Sequence, residues 1–387
     1  MPFRLLHTSD WHLGRALHGE SLLDDQSHAL DQLFALLRDE RPHALVISGD
    51  VYDRAVPPAD AVGLLDDFLT RVRADLSLPV VLLAGNHDSG ERLSFGARLL
   101  ERQGLHVRGS CRRAGEPVAL PGDGVTGFVY PVPYVDPEVV RAESGDEALR
   151  GHAAATSFVL ERARADAASR GGVRVLAAHA FVDGAAQSES ERALTVGGSG
   201  AVPPEAFGGF DYVALGHLHA PQSAGDERLR YSGSLLKYSF GEAAQDKGVE
   251  LVELEPGGGA TVRRVELTPR RDVVRLRGTL SELLGDPALE RHRGDLVQAT
   301  LTDPGYVLDA VGKLRQRFPG VLEVQRAELA VAPVEGTFAA RLAAAGGDDM
   351  RLFEGFFADM TGGPPGEEER TLFQEAFDEV ARAGREA

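Results

Sequence analysis

VVLLAGNHD, residues 80–88, is the stretch whose reading decides the fold. Five apolar residues, Val80 to Ala84, form a run of strand length. The run ends abruptly in Gly85-Asn86-His87-Asp88, with no helix-forming residue between. An amide, an imidazole and a carboxylate therefore sit together at the tip of a buried strand.

Working outward, the same design recurs. Short β-rich runs lie at Arg4 to His7, Ala44 to Ser48, Val173 to Ala178 and Tyr212 to Leu215. Each is followed by a Gly- or Asp-bearing loop. Between the early runs lie segments with helical spacing. Leu22 to Leu37 carries apolar residues at 30, 33, 34 and 37, and Ala61 to Val72 carries them at 61, 64, 65, 68, 69 and 72. Each set lies on one helical face. Strands alternating with helices predict a layered α/β fold.

The residues just past each run are chemical rather than structural. The first gives Asp10 and His12 (SDWHLG), the second Asp50 and Asp53 (SGDVYD), the third Asn86, His87 and Asp88. The fourth gives His179 (AAHAF), and the fifth His217 and His219 (LGHLHA). In open α/β sheets this carboxyl edge of the strands is where ligands bind. Imidazole and carboxylate without thiolate suit Mn, Fe, Zn or similar ions and exclude an iron–sulfur cluster. Asp10, His12, Asp50, Asn86, His179, His217 and His219 make seven candidate ligands. One ion does not need so many; two ions sharing a carboxylate do. Such pairs sit about 3.5–4 Å apart and serve in-line displacement at phosphorus. Taken singly, the blocks are weaker: Asp-x-His is common, Gly49-Asp50 could be a turn, and His179 could be a satisfied, partly buried histidine. Five blocks in order, each closing a strand, leave those readings little room.

The chain of 387 residues is 43% hydrophobic, enough for a large core and more than one domain. Its net charge of −18 argues, as a sum, against nucleic acid. Local fields decide binding, however, and bound cations add positive charge where it matters. The single cysteine, Cys111, excludes an internal disulfide and suits a reducing compartment. No apolar run reaches the length of a membrane span, and MPFRLLHTSD lacks a signal-peptide core, so a cytoplasmic location is expected.

The ordered blocks D-x-H, G-D-x-x-D, G-N-H-D, a later His and G-H-x-H resemble the calcineurin-like metallophosphoesterases. LLHTSDWHLG, SGDVYDRAVPP, LAGNHDS, DYVALGHLH and YSGSLLKYSF look, more closely, like the bacterial SbcD nuclease family. The resemblance is strong from residue 3 to about 275 and departs from the family at no ligand position. It implies a four-layer αββα sandwich with a small α+β capping domain and C-terminal partner-binding helices. Asp10, His12, Asp50 and His219 would hold one ion. Asp50 would bridge to a second, held also by Asn86, His179 and His217. Family members typically use manganese. His87 would not ligate metal but stabilise the transition state or protonate the leaving oxygen. Asp88 would orient His87, and Asp53 would act on the substrate or behind the ligands. The implied activity is two-metal hydrolysis of DNA: 3′-to-5′ exonuclease on duplex ends and endonuclease on single strands or hairpins, in repair and recombination. The implied partner is an SbcC-type coiled-coil ATPase, with a homodimer formed through helices at Ala61 and at Leu93–Glu101. Arg15 and Arg54, close to the motifs, are the expected DNA contacts. The competing reading is a stand-alone phosphatase or nucleotide phosphodiesterase with the same metal core.

After residue 248 the texture changes. Gly248 to Leu254 and Thr261 to Leu267 read as a hairpin around Gly257-Gly258-Gly259. We expect the nuclease domain over 1–270, an α+β capping domain over 271–333, and a linker with docking helices over 334–387. Leu352, Phe353, Phe356, Phe357 and Met360 form one amphipathic stripe; Leu372, Phe373, Ala376, Phe377 and Val380 form another. These stripes either dock on the partner or pack on the chain itself.

Overall fold

The computed structural model of the chain describes residues 2–188, 190–191, 200–327, 349–361 and 363–386, with backbone only at 349, 359–360 and 378–386. The described part divides into two compact units, Met1–Val274 and Arg275 onward.

The first unit opens with β1 (Phe3–Thr8), the small ribbon β2 (Ala16–Leu17) and β3 (Glu20–Ser21), and α1 (Leu23–Glu40). Next come β4 (Ala44–Ser48), α2 (Ala59–Leu76), β5 (Val80–Leu83), the single-turn helices α3 (Gly90–Leu93) and α4 (Ala97–Leu100), and β6 (Leu105–Arg108). The chain then runs through β7 (Val118–Pro121), β8 (Thr126–Val132), α5 (Pro137–Ser144), α6 (His152–Ala168), β9 (Val173–His179), β10 (Tyr212–Gly216), β11 (Gln222–Ser223) and β12 (Leu229–Tyr231). The expected hairpin closes the unit as β13 (Gly248–Leu254) and β14 (Ala260–Glu266).

These strands make two six-stranded sheets, ordered β14-β13-β1-β4-β5-β6 and β11-β12-β10-β9-β8-β7. Within them β1-β4-β5-β6 and β12-β10-β9-β8 are parallel. The two sheets face each other across one core: Leu5, Val46 and Val81 from the first meet Val129, Val175 and Tyr212 from the second. Alternation along a strand sends neighbouring residues to opposite faces. On the outer face of the second sheet, Leu176, Val213 and Leu215 pack with Val140, Val159 and Leu160 of α5 and α6. On the outer face of the first, Leu6, Leu45, Ile47 and Leu82 are equally buried, on the side of α1 and α2, which bury Leu30, Leu33, Leu65 and Phe68. The result is helix, sheet, sheet, helix: the αββα sandwich. Central strands covered on both faces read as continuous apolar runs, which makes them visible in the sequence.

One element differs from expectation. The helix expected over Leu93–Glu101 is two separate turns, because Gly96 adopts φ +71° between them. β8 is not among the runs read from the sequence; it contains Pro131. Pro131 is tolerated because it pairs only with β9; the β7 ladder reaches no further along β8 than Val129, opposite Val118, so among the described residues no second strand needs its missing N–H.

The second unit contains a three-stranded sheet of β15 (Val273–Gly278), β16 (Leu296–Leu301) and β17 (Val321–Arg326), with α7 (Leu280–Gly285) and α8 (Ala310–Arg317). Thr279 and Glu282 form a capping box at the start of α7. α9 (Asp349–Thr361) and α10 (Glu367–Glu386) follow. Their stripes meet in part: Phe353 stacks on Phe373 at 4.1 Å, and Arg370 pairs with Glu354 at 2.9 Å. Phe356 and Leu372 remain 61% exposed. Residues 328–348, which take in the end of the expected 271–333 domain and the start of the expected 334–387 linker and helices, lie outside the described residues, as do the side chains of Met360 and Val380. Among the described residues no helix is long and apolar enough to cross a membrane.

Candidate metal centre

The five motif loops emerge from the carboxyl ends of β1, β4, β5, β9 and β10. Their backbones are bound to one another: Asp10 N–H donates to Gly49 O (3.0 Å), His12 N–H to Asp50 O (2.9 Å) and Ala180 N–H to Gly216 O (3.3 Å). The close approach excludes side chains at the motif glycines. A Cβ on Gly85 would lie 2.1 Å from Asp50 Oδ1, and one on Gly216 would lie 1.9 Å from Ser48 O. Four of the expected ligands hold positive φ: Asp10 (53°), His12 (45°), Asp50 (48°) and His217 (110°). Such backbone is unfavourable for these residue types and persists only where the surroundings enforce it, commonly at functional sites.

The structure brings all seven expected ligands together. Asp10, His12 and His219 form one group of ligand atoms, and Asp50, His179 and His217 form another. His12 Nε2 lies 3.1 Å from His219 Nε2 and 3.7 Å from Asp50 Oδ2, and His179 Nε2 is 3.5 Å from the same oxygen. Asp50 thus stands between the groups. Asn86 Oδ1 approaches His179 Nε2 (2.9 Å) and His217 Nδ1 (3.0 Å), joining the second group. Every one of these histidines and both aspartates is at most 2% exposed. Among the described residues, His12 Nδ1 and His217 Nε2 find no hydrogen-bond partner, which is costly in a dry interior. Converging imidazole nitrogens with orphaned polar atoms fit divalent cations.

Electrostatics agree. Burial lowers His217 and His219 to about 3 and lowers His12, so all three stay neutral and offer lone pairs. Burial and then the nearby Asp50 charge raise Asp10 to about 8. Burial alone would lower His179, but the charges of Asp50 and Asp10 outweigh it and raise it to about 9. Without cations the cluster therefore retains protons that cations displace.

Four expected residues have partners that define their parts. His87 Nδ1 is 2.8 Å from Asp53 O, and His87 N–H donates to Asp50 Oδ1 at 2.8 Å. Asp88, expected to orient His87, instead accepts from the backbone N–H groups of Val51 (3.0 Å), Tyr52 (2.9 Å) and Gly85 (2.9 Å). It ties the second loop to the third. The Asp53 carboxylate lies 3.6 Å from His12 Nδ1 and 3.4 Å from Arg15 Nη1. Arg15 also donates to Ser190 O at 3.0 Å and lies over the Tyr238 ring, while Arg54 is exposed.

Residues 3–221, more than half of the chain, match the calcineurin-like phosphoesterase family. Residues 269–361 match a family described as the type 5 capsule protein repressor C-terminal domain. The SbcD subunit of the SbcCD nuclease from Staphylococcus epidermidis is 31% identical over 358 residues, 92% of this chain and 93% of its own. Its counterpart from Staphylococcus saprophyticus is 34% identical over 319 residues, covering 82% and 83%. The chain belongs to the SbcD nuclease family.

Membership makes it a metal-dependent nuclease, a hydrolase on the calcineurin-like fold, and the structure adds parts of this SbcD-family site that the motifs do not announce. Gln26 on α1 is fully buried; its amide donates to His12 O (2.7 Å) and Trp11 O (3.2 Å), holding the strained first loop. Glu242 and Lys247, both buried, pair at 2.6 Å behind His219. Single polar residues far along the chain from the motifs carry no local pattern. Only the apolar company of YSFGE and its position after a motif could have flagged Glu242.

Proposed function

We propose that this chain cleaves DNA phosphodiesters as the nuclease subunit of an SbcCD-type complex. The observation that carries the reading is the convergence of five loops on two adjoining buried ligand groups with Asp50 between them. The names of the relatives, which cover most of the chain, supply the substrate and the partner.

In this reading Asp10, His12, Asp50 and His219 would hold one ion, and Asp50, Asn86, His179 and His217 would hold the other. Oxygen and imidazole donors without thiolate suit Mn²⁺. When bound, the two ions supply Lewis acidity: they acidify a water to near-neutral pKa and offset charge developing on the phosphate. The protein's own work is positioning. His87 donates Nδ1–H to the Asp53 carbonyl, which turns Nε2 toward the phosphate; as general acid it carries a second proton on Nε2, gives that proton to the leaving oxygen and is left as neutral imidazole. Asp88 holds the His87-bearing loop at a fixed distance from Asp50. Asp53 and Arg15 brace His12, and Arg54, exposed beside them, meets a DNA phosphate.

Two apolar surfaces suit partners. Beside α2, a groove of about 790 Å³ is lined by Val62, Leu65, Leu69, Leu93, Phe95 and Leu100. Phe95 is 87% exposed and the adjacent Leu99 72% exposed. Exposed apolar patches of this kind mark interfaces, and we assign this one to the homodimer within a heterotetramer. The outward residues of α9 and α10, Phe356, Leu372 and Phe377, suit helix-in-groove docking on the SbcC-type ATPase. Residues 271–327, the described part of the expected 271–333 domain, suit a cap that meets DNA, and the cytoplasm suits a chain with one cysteine.

The test uses a labelled DNA hairpin and a labelled duplex with Mn²⁺, with and without the ATPase subunit and ATP. Cleavage of DNA, enhanced by the partner, supports the reading. Turnover of a small phosphodiester with no DNA cleavage under either condition favours the stand-alone phosphodiesterase.

A further inference from the structure

The two histidines of the LGHLH motif sit in different surroundings. His217 Nδ1 lies near the neutral amide oxygen of Asn86, and its Nε2 has no partner among the described residues. His219 is gripped at three points. Its N–H donates to Glu191 Oε1 (2.6 Å), its carbonyl accepts from Lys247 Nζ (2.8 Å), and its ring Nδ1 lies 2.7 Å from Ser190 Oγ and 3.3 Å from Glu242 Oε1. Ser190 Oγ in turn donates to the same Glu242 oxygen. The other oxygen, Glu242 Oε2, takes Lys247 Nζ at 2.6 Å.

We propose that Glu242, with Lys247 as its counterion, is the positioning residue of His219, fixing Nδ1 as the proton-bearing nitrogen so that Nε2 is held ready as a ligand. Glu242 is fully buried at the end of the short helical turn Phe240–Glu242, where an isolated carboxylate would not survive as an anion. Lys247, only 6% exposed, is the buried cation that allows it. The same ammonium holds the His219 carbonyl, so one ion pair sets both the backbone and the ring. A carboxylate behind a ligating imidazole fixes its tautomer and ring orientation and makes it a stronger donor. Among the described residues His217 has no such backing, and His179 has only the neutral Ser48 carbonyl at 2.9 Å. Glu242 therefore acts on one ion and not on the other. The inference rests on the two-ion reading above.

The experiment titrates the metal-free full chain with Mn²⁺ by calorimetry, for the wild type and Glu242→Gln. Two binding steps are expected in the wild type. In the variant one step should weaken about 10–100-fold while the other stays within about twofold. Equal affinities in both proteins, or equal weakening of both steps, overturns the proposal. A wild type that binds no ions fails the site reading itself, a different result. If Glu242→Gln does not fold, proton NMR of the Zn²⁺-loaded wild type decides. A slowly exchanging, downfield His219 Nδ1–H is expected, and a fast-exchanging Nδ1–H overturns the proposal.

Discussion

The metal-binding edge of the sandwich and the C-terminal helix pair solve opposite problems. At the edge, polar side chains are almost wholly buried, four candidate ligands adopt unfavourable backbone, and glycines let loops approach to contact distance. The surrounding hydrogen bonds over-determine that arrangement. On α9 and α10 the imbalance is reversed: Phe353 and Phe373 find each other, while Phe356, Leu372 and Phe377 stay exposed. In the proposed function the first region takes small cations, whereas the second takes a large apolar surface of the partner. Catalysis and assembly can therefore be perturbed separately.

The sharpest way to break that separation is Asp50→Asn. The amide keeps the shape but removes the charge between the two ligand groups. Hydrolysis should fall to background while binding of the partner ATPase is unchanged; retained turnover would break the assignment of Asp50. Next is His87→Ala, which should lower kcat about 10²–10⁴-fold with little change in KM or in ions bound. A parallel loss of bound metal would instead make His87 a ligand.

The other region is probed by Phe356→Glu with Phe377→Glu. Partner affinity should fall by roughly 2 kcal/mol for each anchor removed. Metal content and hydrolysis of a small phosphodiester should not change. If these changes unfold the isolated chain, the exposed aromatics belong to its own packing.

A pH series sharpens the contrast further. In the metal-free protein Asp10 and His179 hold protons to about 8 and about 9. Both bind protons more tightly folded than unfolded. Their contribution is thus present below their unfolded pKa values, 3.8 for Asp10 and 6.5 for His179, and is lost between those values and the folded ones, a window from about pH 4 to about pH 9. The metal-free Tm should fall over that window, and Mn²⁺ should abolish the fall by displacing the protons. The same thermal scans would show no such metal dependence in Asp50→Asn. The smallest effect is expected at Arg54, whose replacement by Ala should reduce the salt slope of DNA binding by about one unit.

Much of this architecture is legible in the sequence because its central strands are covered on both faces. Val80–Leu83 and Ala44–Ser48 have no polar residue before their last position, so the change to Asn-His-Asp or Gly-Asp is abrupt. The site is legible for the same reason: its ligands follow strands immediately and in fixed spacings. Less visible is anything set by tertiary contact. Pro131 hides β8, since the edge position that tolerates it exists only in the sheet. Gly96 splits an amphipathic stretch that periodicity alone would continue. Asp88 adjoins His87 in sequence, but its carboxylate meets backbone N–H groups from two different loops. Glu242 reaches His219 from 23 residues away, with no spacing rule to predict it.

The central claim is that one shared aspartate holds a pair of cations. Anomalous diffraction from crystals grown with Mn²⁺ tests it most directly. Two manganese peaks about 3.5–4 Å apart, with the Asp50 carboxylate between them, are expected. A single peak, or two peaks that do not share Asp50, would contradict it.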